Sequence, residues 1–233
     1  MGEPDPRGWL VSVTGKPLDA APRPLLRPRL PAELADISPE TFRGELRHVS
    51  VRGGVVPKSA GPLLVDGARL ARTDLSESRF DKPSLADVVF TDCNLANARW
   101  SEAALTRVEF QGCQMTGFDV NSGALLDVQF SGCKLFLSSF RLLGQAKVHF
   151  TDCEMDGTDF HGVDLRRARF TRCLLAGSLF HGARAEGLDL RGSELAGLQG
   201  VDGLRGAGVD RFQLLDLTEA LAAHAGLVTL DDL

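Results

Sequence analysis

Residues 90–115 read FTDCNLANARWSEAALTRVEFQGCQM, and two spacings inside this stretch decide the fold. Phe90, Leu95, Trp100, Leu105, Phe110 and Met115 fall five residues apart, while Phe90 and Phe110, like Cys93 and Cys113, fall twenty apart. Extended in both directions by steps of five, the series runs from Val65 to Leu195. It takes in 27 positions, of which 25 are large apolar residues and only Gln145 and Ala185 are not. One residue earlier in each step, only Leu64, Val89, Leu174 and Leu179 are large and apolar, so the phase is fixed.

Neither a helix nor a flat strand produces this period. On an α-helix, at about 100° per residue, a step of five turns the side chain about 140° away, so the apolar positions scatter. On a strand a step of five changes face. A short extended segment followed by a corner keeps the fifth residue inward each time. The second period counts the corners. All five cysteines, Cys93, Cys113, Cys133, Cys153 and Cys173, recur every 20 residues. Phe90 to Phe170 do the same, as do Val88, Val108, Val128 and Val148. Phe80, Trp100, Phe140, Phe160 and Phe180 form a column on the opposite side. Four sides of five residues make one coil, and coils stack at the strand spacing of about 4.8 Å. Internal repetition of this kind defines a solenoid.

The pattern resembles the pentapeptide-repeat family, whose consensus is A(D/N)LXX. Near matches are Cys93-Asn94-Leu95, Thr158-Asp159-Phe160, Val163-Asp164-Leu165 and Leu188-Asp189-Leu190, and the resemblance covers roughly residues 63–200. It implies a right-handed quadrilateral β-helix, with the central residue of each repeat and the one two before it pointing inward. The expected fold class is therefore an all-β solenoid with a C-terminal capping α-helix. Three divisions follow: a Pro-rich, largely flexible segment over 1–40, the β-helix over 41–205, and a helix cap with tail over 206–233. Seven of the eleven prolines lie in residues 1–31. Leu46, Val51 and Val56 suggest an N-terminal coil, and the frame slips across Pro57 to Pro62. Asp210 is expected to cap a helix from about Arg211 to Ala225, with Gly226 as its stop.

Three inward positions depart from the rule. Gln145 puts an amide where an apolar anchor belongs and needs hydrogen-bond partners. Phe118 is large where its column is small, and Val120 is small where its column is large, which reads as a size swap. Pro83 donates no hydrogen bond and is expected at a corner or bulge.

Composition narrows the function. The chain has 233 residues, 26 Lys+Arg against 31 Asp+Glu, and a formal net charge of -5, which argues against a general nucleic-acid binder. No apolar run approaches the ~18 residues of a membrane helix. The start, MGEPDPRGWLVSV, has no basic segment followed by an apolar core, so export is not expected and a cytoplasmic location is. There are 13 Phe and no Tyr, which suits rings placed where a hydroxyl finds no partner.

The chemistry-bearing residues read mostly as structure. A cysteine column invites a metal or redox reading, but parallel Cβ vectors about 4.8 Å apart are too far for a disulfide, and tetrahedral zinc needs four ligands around one point. Inert core thiols are the better reading. His161 and His181 stack 20 apart above Arg141 with no obvious third ligand. No phosphate loop, nucleophile elbow or zincin motif is visible. No catalytic residue, metal or cofactor is expected, and the chain is not expected to be an enzyme.

Function is therefore expected on the outer wall. Asp152, Glu154, Asp156 and Asp159 crowd one coil on two adjoining sides, with Arg166, Arg167, Arg169 and Arg172 in the next. Arg172 is expected over Asp152, and ion pairing across a solvated wall is the plain alternative. Phe136, Leu137 and Leu142 are apolar at outward positions, as are Leu174 and Leu179, and form a candidate partner patch. Phe212, Leu214, Leu215, Leu217 and Leu221 are candidates for plugging the last coil or for a homodimer contact; the latter is what the resemblance implies. The resemblance also implies a partner. Some members of the family bind DNA gyrase or topoisomerase IV by imitating a duplex and protect it from quinolones or related poisons. About seven coils make a tower roughly 34 Å long, near one duplex turn. A duplex of that length carries about 20 phosphates, whereas residues 61–200 hold 18 Asp+Glu and 15 Lys+Arg, so mimicry needs the acids sorted to one side. The alternative is a scaffold or interaction module with an unrelated protein partner.

Overall fold

The computed structural model describes residues 24–58 and 61–228. Ten strands and two short helices follow one another: β1 (Ala35–Asp36), β2 (Gly44–Arg52), β3 (Leu63–Ala71), β4 (Arg79–Asp81), β5 (Ser84–Thr91), β6 (Arg99–Ser101), β7 (Ala104–Gln111), β8 (Ala124–Ser131), β9 (Gln145–Thr151), β10 (Arg169–Thr171), α1 (Gln213–Asp216) and α2 (Thr218–His224). One parallel sheet takes the order β1-β2-β3-β5-β7-β8-β9-β10, and β4 pairs with β6 in a second. Isolated parallel bridges continue the stacking on the other sides, for instance Asp74↔Asn94 and Glu154↔Leu174. Phe90 lies over Leu70 and under Phe110, one coil per 20 residues. The expected all-β solenoid with a capping helix is the observed fold.

The inward positions fill one continuous core. Val88, Phe90, Cys93, Leu95, Ala98, Trp100, Ala103 and Leu105 are all buried within a single coil. The first ring column stacks with near-parallel planes, with centroids 4.8 Å apart for Phe90–Phe110 and for Phe110–Phe130. It meets the opposite column edge-on, as in Phe130–Phe140 at 5.8 Å and 85°. Both arrangements suit the ring quadrupole, and a tyrosine hydroxyl would find no partner between them. The size swap is real: the Phe118 ring contacts Trp100 at 5.3 Å and Phe140 at 6.5 Å, filling the gap over Val120.

Corners recur every five residues in left-handed backbone. Arg72, Glu77, Lys82 and Asp87 turn the four corners of one coil with φ of 52, 55, 50 and 56°. Such a conformation costs a residue with a Cβ about 1–2 kcal/mol. Glycine removes that cost, and the later corners Gly177, Gly182, Gly187, Gly192 and Gly197 use it throughout. Pro83 lies one residue past the corner residue Lys82 rather than on the corner, and its carbonyl accepts from Ala104 N–H at 2.9 Å.

Gln145 requires a correction. In the β8–β9 pair, Leu125 faces Ala146 and Val128 faces Val148, so the coil gains a residue before Gln145 and loses one at the next corner. Buried Ala146, not Gln145, takes the anchor position. The left-handed corner of Asp87, Arg107 and Asp127 has no counterpart here, and β9 runs straight through.

Both ends are closed. At the start, Phe42 is fully buried, β2 stacks under β3 as the expected first coil, and β1 pairs with the outer edge of β2. Residues 24–34 lie along the wall: Leu26 N–H donates to Asp127 Oδ1 at 3.0 Å and Arg29 N–H to Asp87 Oδ1 at 2.8 Å. The expectation of a largely flexible segment thus fails over 24–40, because wall carboxylates and the β2 edge hold it. Residues 1–23 lie outside the described residues. At the other end, Asp210 and Gln213 form a reciprocal capping box: Asp210 Oδ1 accepts from Gln213 N–H at 3.0 Å, and Gln213 Oε1 accepts from Asp210 N–H at 2.8 Å. The buried Gln213 amide also donates to the Leu190 and Ser193 carbonyls, each at 2.6 Å, closing the last coil. The expected single helix is two segments meeting at Leu217, whose side chain is buried against the core.

Candidate protein-binding surface

Each coil presents four outward sides, which we call the valine side (positions such as 89 and 91), the cysteine side (94 and 96), the tryptophan side (99 and 101) and the fourth side (104 and 106). The bridges Asp74↔Asn94↔Gln114↔Lys134↔Glu154↔Leu174↔Glu194 run up the cysteine side. Between residues 61 and 200, with each corner counted to the side before it, charge is unevenly sorted. The cysteine side has five acids (Asp74, Glu77, Glu154, Asp156, Glu194) against Lys134 alone. The valine side has four acids and five bases, the tryptophan side four of each and the fourth side five of each. Between residues 61 and 200 the net negative charge therefore sits on one side, where Glu77 is paired with Lys58 of the first coil.

The acidic residues singled out from sequence do not form one patch. Asp152 turns a corner, and Arg172 of the next coil holds it through both carboxylate oxygens at 2.6 and 2.7 Å. That guanidinium keeps the Asp152 carboxyl below its ordinary range. Asp159 lies on the tryptophan side, where it accepts His161 N–H at 2.8 Å and approaches Arg141 at 3.6 Å. Asp156 accepts from Ala176 N–H at 3.1 Å. Only Glu154 and Asp156 share the cysteine side.

The apolar candidates behave differently. Leu137 is 72% exposed and Leu142 54%, and both turn corners at φ 53 and 56°. They flank the tryptophan side of one coil. Each leans over a glycine of the coil above: a Cβ on Gly157 would stand 2.7 Å from Leu137 Cδ2, and one on Gly162 2.9 Å from Leu142 Cδ2. Phe136 is half-buried beside Leu137, Leu174 is exposed and Leu179 is half-buried. At the C-terminal end Leu217 is buried, so of the cap candidates it is the one that packs against the tower, while Phe212 (80% exposed), Leu214, Leu215 and Leu221 face outward.

The cysteine thiols are all buried and unpaired by disulfides. They donate to carbonyls, as Cys93 does to Thr91 at 3.4 Å. The neighbouring thiols Cys133 and Cys93, and then burial, push Cys113 above the ordinary thiol value. His181 Nδ1 lies 3.5 Å from Asp202. Among the described residues no group of three or more His, Cys, Asp and Glu is placed to hold a metal ion, and no helix is long and apolar enough to cross a membrane.

Sequence reasoning passed over one cluster. Asp87, Arg107 and Asp127 stack 20 apart on the corner between the fourth and valine sides, and Lys147 follows above. Arg107 binds Asp87 at 2.7 and 2.6 Å, and Lys147 pairs with Asp127. Their alternating signs at intervals of 20 were visible in the sequence.

The five-residue period, the four-sided coil and the inward columns have a counterpart among known families: a model of the pentapeptide repeat region matches residues 67–140 and 123–199, together more than half of the chain. The chain belongs to the pentapeptide-repeat family. No curated protein matches it. Solved pentapeptide-repeat structures are similar at a distance. QnrB1, a plasmid-mediated fluoroquinolone resistance protein, is 21% identical with a TM-score of 0.33, over 80% of this chain and 94% of that one. HetL, a pentapeptide repeat protein involved in heterocyst differentiation regulation from the cyanobacterium Nostoc sp. strain PCC 7120, is 16% identical with a TM-score of 0.28, over 73% and 90%.

Proposed function

We propose that this pentapeptide-repeat protein is a non-catalytic binder whose cysteine side receives a basic surface of a partner protein, and that the partner is a type II topoisomerase, DNA gyrase or topoisomerase IV. The carrying observation is the sorting of charge between residues 61 and 200: five acids against one lysine on that side, of which Glu77 is paired with Lys58 from the first coil, with the other three sides balanced to within one charge. From Asp74 to Glu194 the acids span six coil steps, about 29 Å at the strand spacing. That approaches one duplex turn, and a surface built to hold DNA is basic. Five unpaired thiols suit a reducing cytoplasm. The test is gyrase supercoiling with and without a quinolone. Protection or modulation at micromolar protein supports the reading, and no effect on either gyrase or topoisomerase IV removes it.

A second reading rests on Leu137 and Leu142, two exposed apolar residues held in a backbone form that leucine disfavours. They would anchor an unrelated protein partner against the tryptophan side. In that case Phe136→Asp weakens binding of the partner recovered by pull-down and leaves the tower folded. The apolar face of Phe212, Leu214, Leu215 and Leu221 supports a homodimer formed end to end through the cap, which sedimentation equilibrium would detect.

A further inference from the structure

The corner column Asp87–Arg107–Asp127–Lys147 is built like a seat for an extended chain, and residues 24–34 occupy it. Among the described residues, every hydrogen bond that crosses from the tower to this segment goes to its backbone. Asp127 accepts Leu26 N–H, Asp87 accepts Arg29 N–H, and Lys147 Nζ donates to the Pro24 carbonyl at 3.3 Å. Leu26 and Arg29 are three residues apart, and Asp127 and Asp87 are two coils apart. Three residues of extended chain cover about 9–10 Å, and two coil spacings cover about 9.6 Å. The chain and the tower are therefore in register.

The segment's own periodicity agrees. Leu25, Pro28, Pro31 and Leu34 are half-buried, with Leu30 added beside Pro31, while Leu26, Arg27 and Arg29 are exposed. A three-residue period is that of a polyproline II helix, which presents every third side chain to one face. The prolines fix this form in advance and lower the entropy lost on docking.

The ion pairs of the seat are made between coils and not to the segment. Arg107 grips both oxygens of Asp87, and Lys147 pairs with Asp127. All four side chains are at most 25% exposed, and no other ion pair among the described residues has both partners so covered. Arg107 first, and the Arg29 amide among the lesser causes, hold the Asp87 carboxyl below its ordinary range, so it accepts as a charged group. The seat also has an end. The left-handed corner repeats at Gly67, Asp87, Arg107 and Asp127 and is missing from the next coil.

We infer that this corner is a docking track for extended, proline-spaced peptide segments, that residues 24–34 fill it in cis, and that the same segment supplied in trans competes for it. Backbone recognition makes the track tolerant of sequence, and two N–H donors three residues apart define what fits. This inference is independent of the acidic cysteine side.

Full-length variants test it. Leu26→Pro keeps the extended form but deletes the donor to Asp127, and Asp87→Ala deletes the acceptor for Arg29. Each should raise the rate of trypsin cleavage at Arg29–Leu30 by at least about tenfold, since one hydrogen bond to a charged group is worth about 1.5–3 kcal/mol. Asp87→Asn, which keeps an acceptor oxygen, should lie between. A labelled peptide of residues 24–34 should bind the Leu26→Pro/Arg29→Pro protein saturably, and the wild-type chain at least about tenfold more weakly. Cleavage rates equal to wild type overturn the inference. So does faster cleavage with no peptide binding to the opened track, or peptide binding equal in wild type and variant.

Discussion

The Gln213 amide nitrogen lies 2.6 Å from the Ser193 carbonyl oxygen, and this contact ties the C-terminal helix to the last coil of the tower. The same nitrogen reaches the Leu190 carbonyl, and the Gln213 oxygen accepts from Asp210. A solenoid end exposes backbone groups that no further coil will pair. One buried glutamine satisfies the Ser193 carbonyl and the Asp210 N–H, and adds a second donor to the Leu190 carbonyl, which also accepts Ser193 N–H.

Gln213→Leu should therefore cost about 1–3 kcal/mol, the range for buried polar groups left unpaired. Urea unfolding checks it. The midpoint should fall with the slope unchanged, and an unaltered midpoint would mean that the cap does not couple to the tower.

Phe118 and Val120 should show strong coupling. Phe118→Ser alone opens a cavity between Trp100 and Phe140 and should cost about 3–5 kcal/mol, as ring deletions do. Val120→Phe alone overpacks and should cost about 1–3 kcal/mol. Together they restore the pattern of the neighbouring coils, Ser138 with Phe140. The double variant should be more stable than Phe118→Ser, and a double-mutant cycle measures the difference.

His149 should make the tower acid-sensitive. Burial first, then the charges of Arg169 and Lys147, push its imidazole from 6.5 down to about 4, and its Nε2 has no hydrogen-bond partner. Between those values the unfolded chain binds the proton and the folded chain does not, so stability is full above about pH 6.5 and is lost as pH falls toward 4. His149→Gln, matching Gln129 one coil below, should reduce the fall in Tm between pH 7 and pH 5 by about 2–4 °C.

Leu137→Asn separates stability from binding. Asparagine tolerates the left-handed corner and occurs at the equivalent Asn97. The variant should gain a few tenths to about 1 kcal/mol by thermal unfolding. Under the second reading of function it should also lose affinity for the partner. A variant that is more stable and binds fully would show that the exposed leucine is not an anchor.

Much of this was legible because the inward columns carry nearly all the signal. Phe90, Cys93 and Trp100 fix period, phase and side count, since burial admits few residue types. Gln145 misled because a one-residue insertion compensated by a one-residue deletion leaves the frame intact on either side. Residues 24–34 misled because proline-rich composition suits both a free tail and a docked extended segment, and the acceptors that decide between them lie 58 and 101 residues away. The acidic residues at 152–159 are expected on two adjoining sides, and Glu154 and Asp156 lie on one side with Asp159 on the next and Asp152 at the corner. Sorting charge by side required the stacking register.

The most direct measurement is the affinity of full-length protein for purified gyrase with charge reversed on one side at a time. Reversal of Glu154, Asp156 and Glu194 to lysine should weaken binding at least about tenfold and remove its salt dependence. Reversal of Asp119 on the balanced tryptophan side should leave it within about twofold. Equal effects from both sides, or no binding by the wild-type chain at micromolar concentration, would contradict the assignment of the cysteine side as the partner's seat.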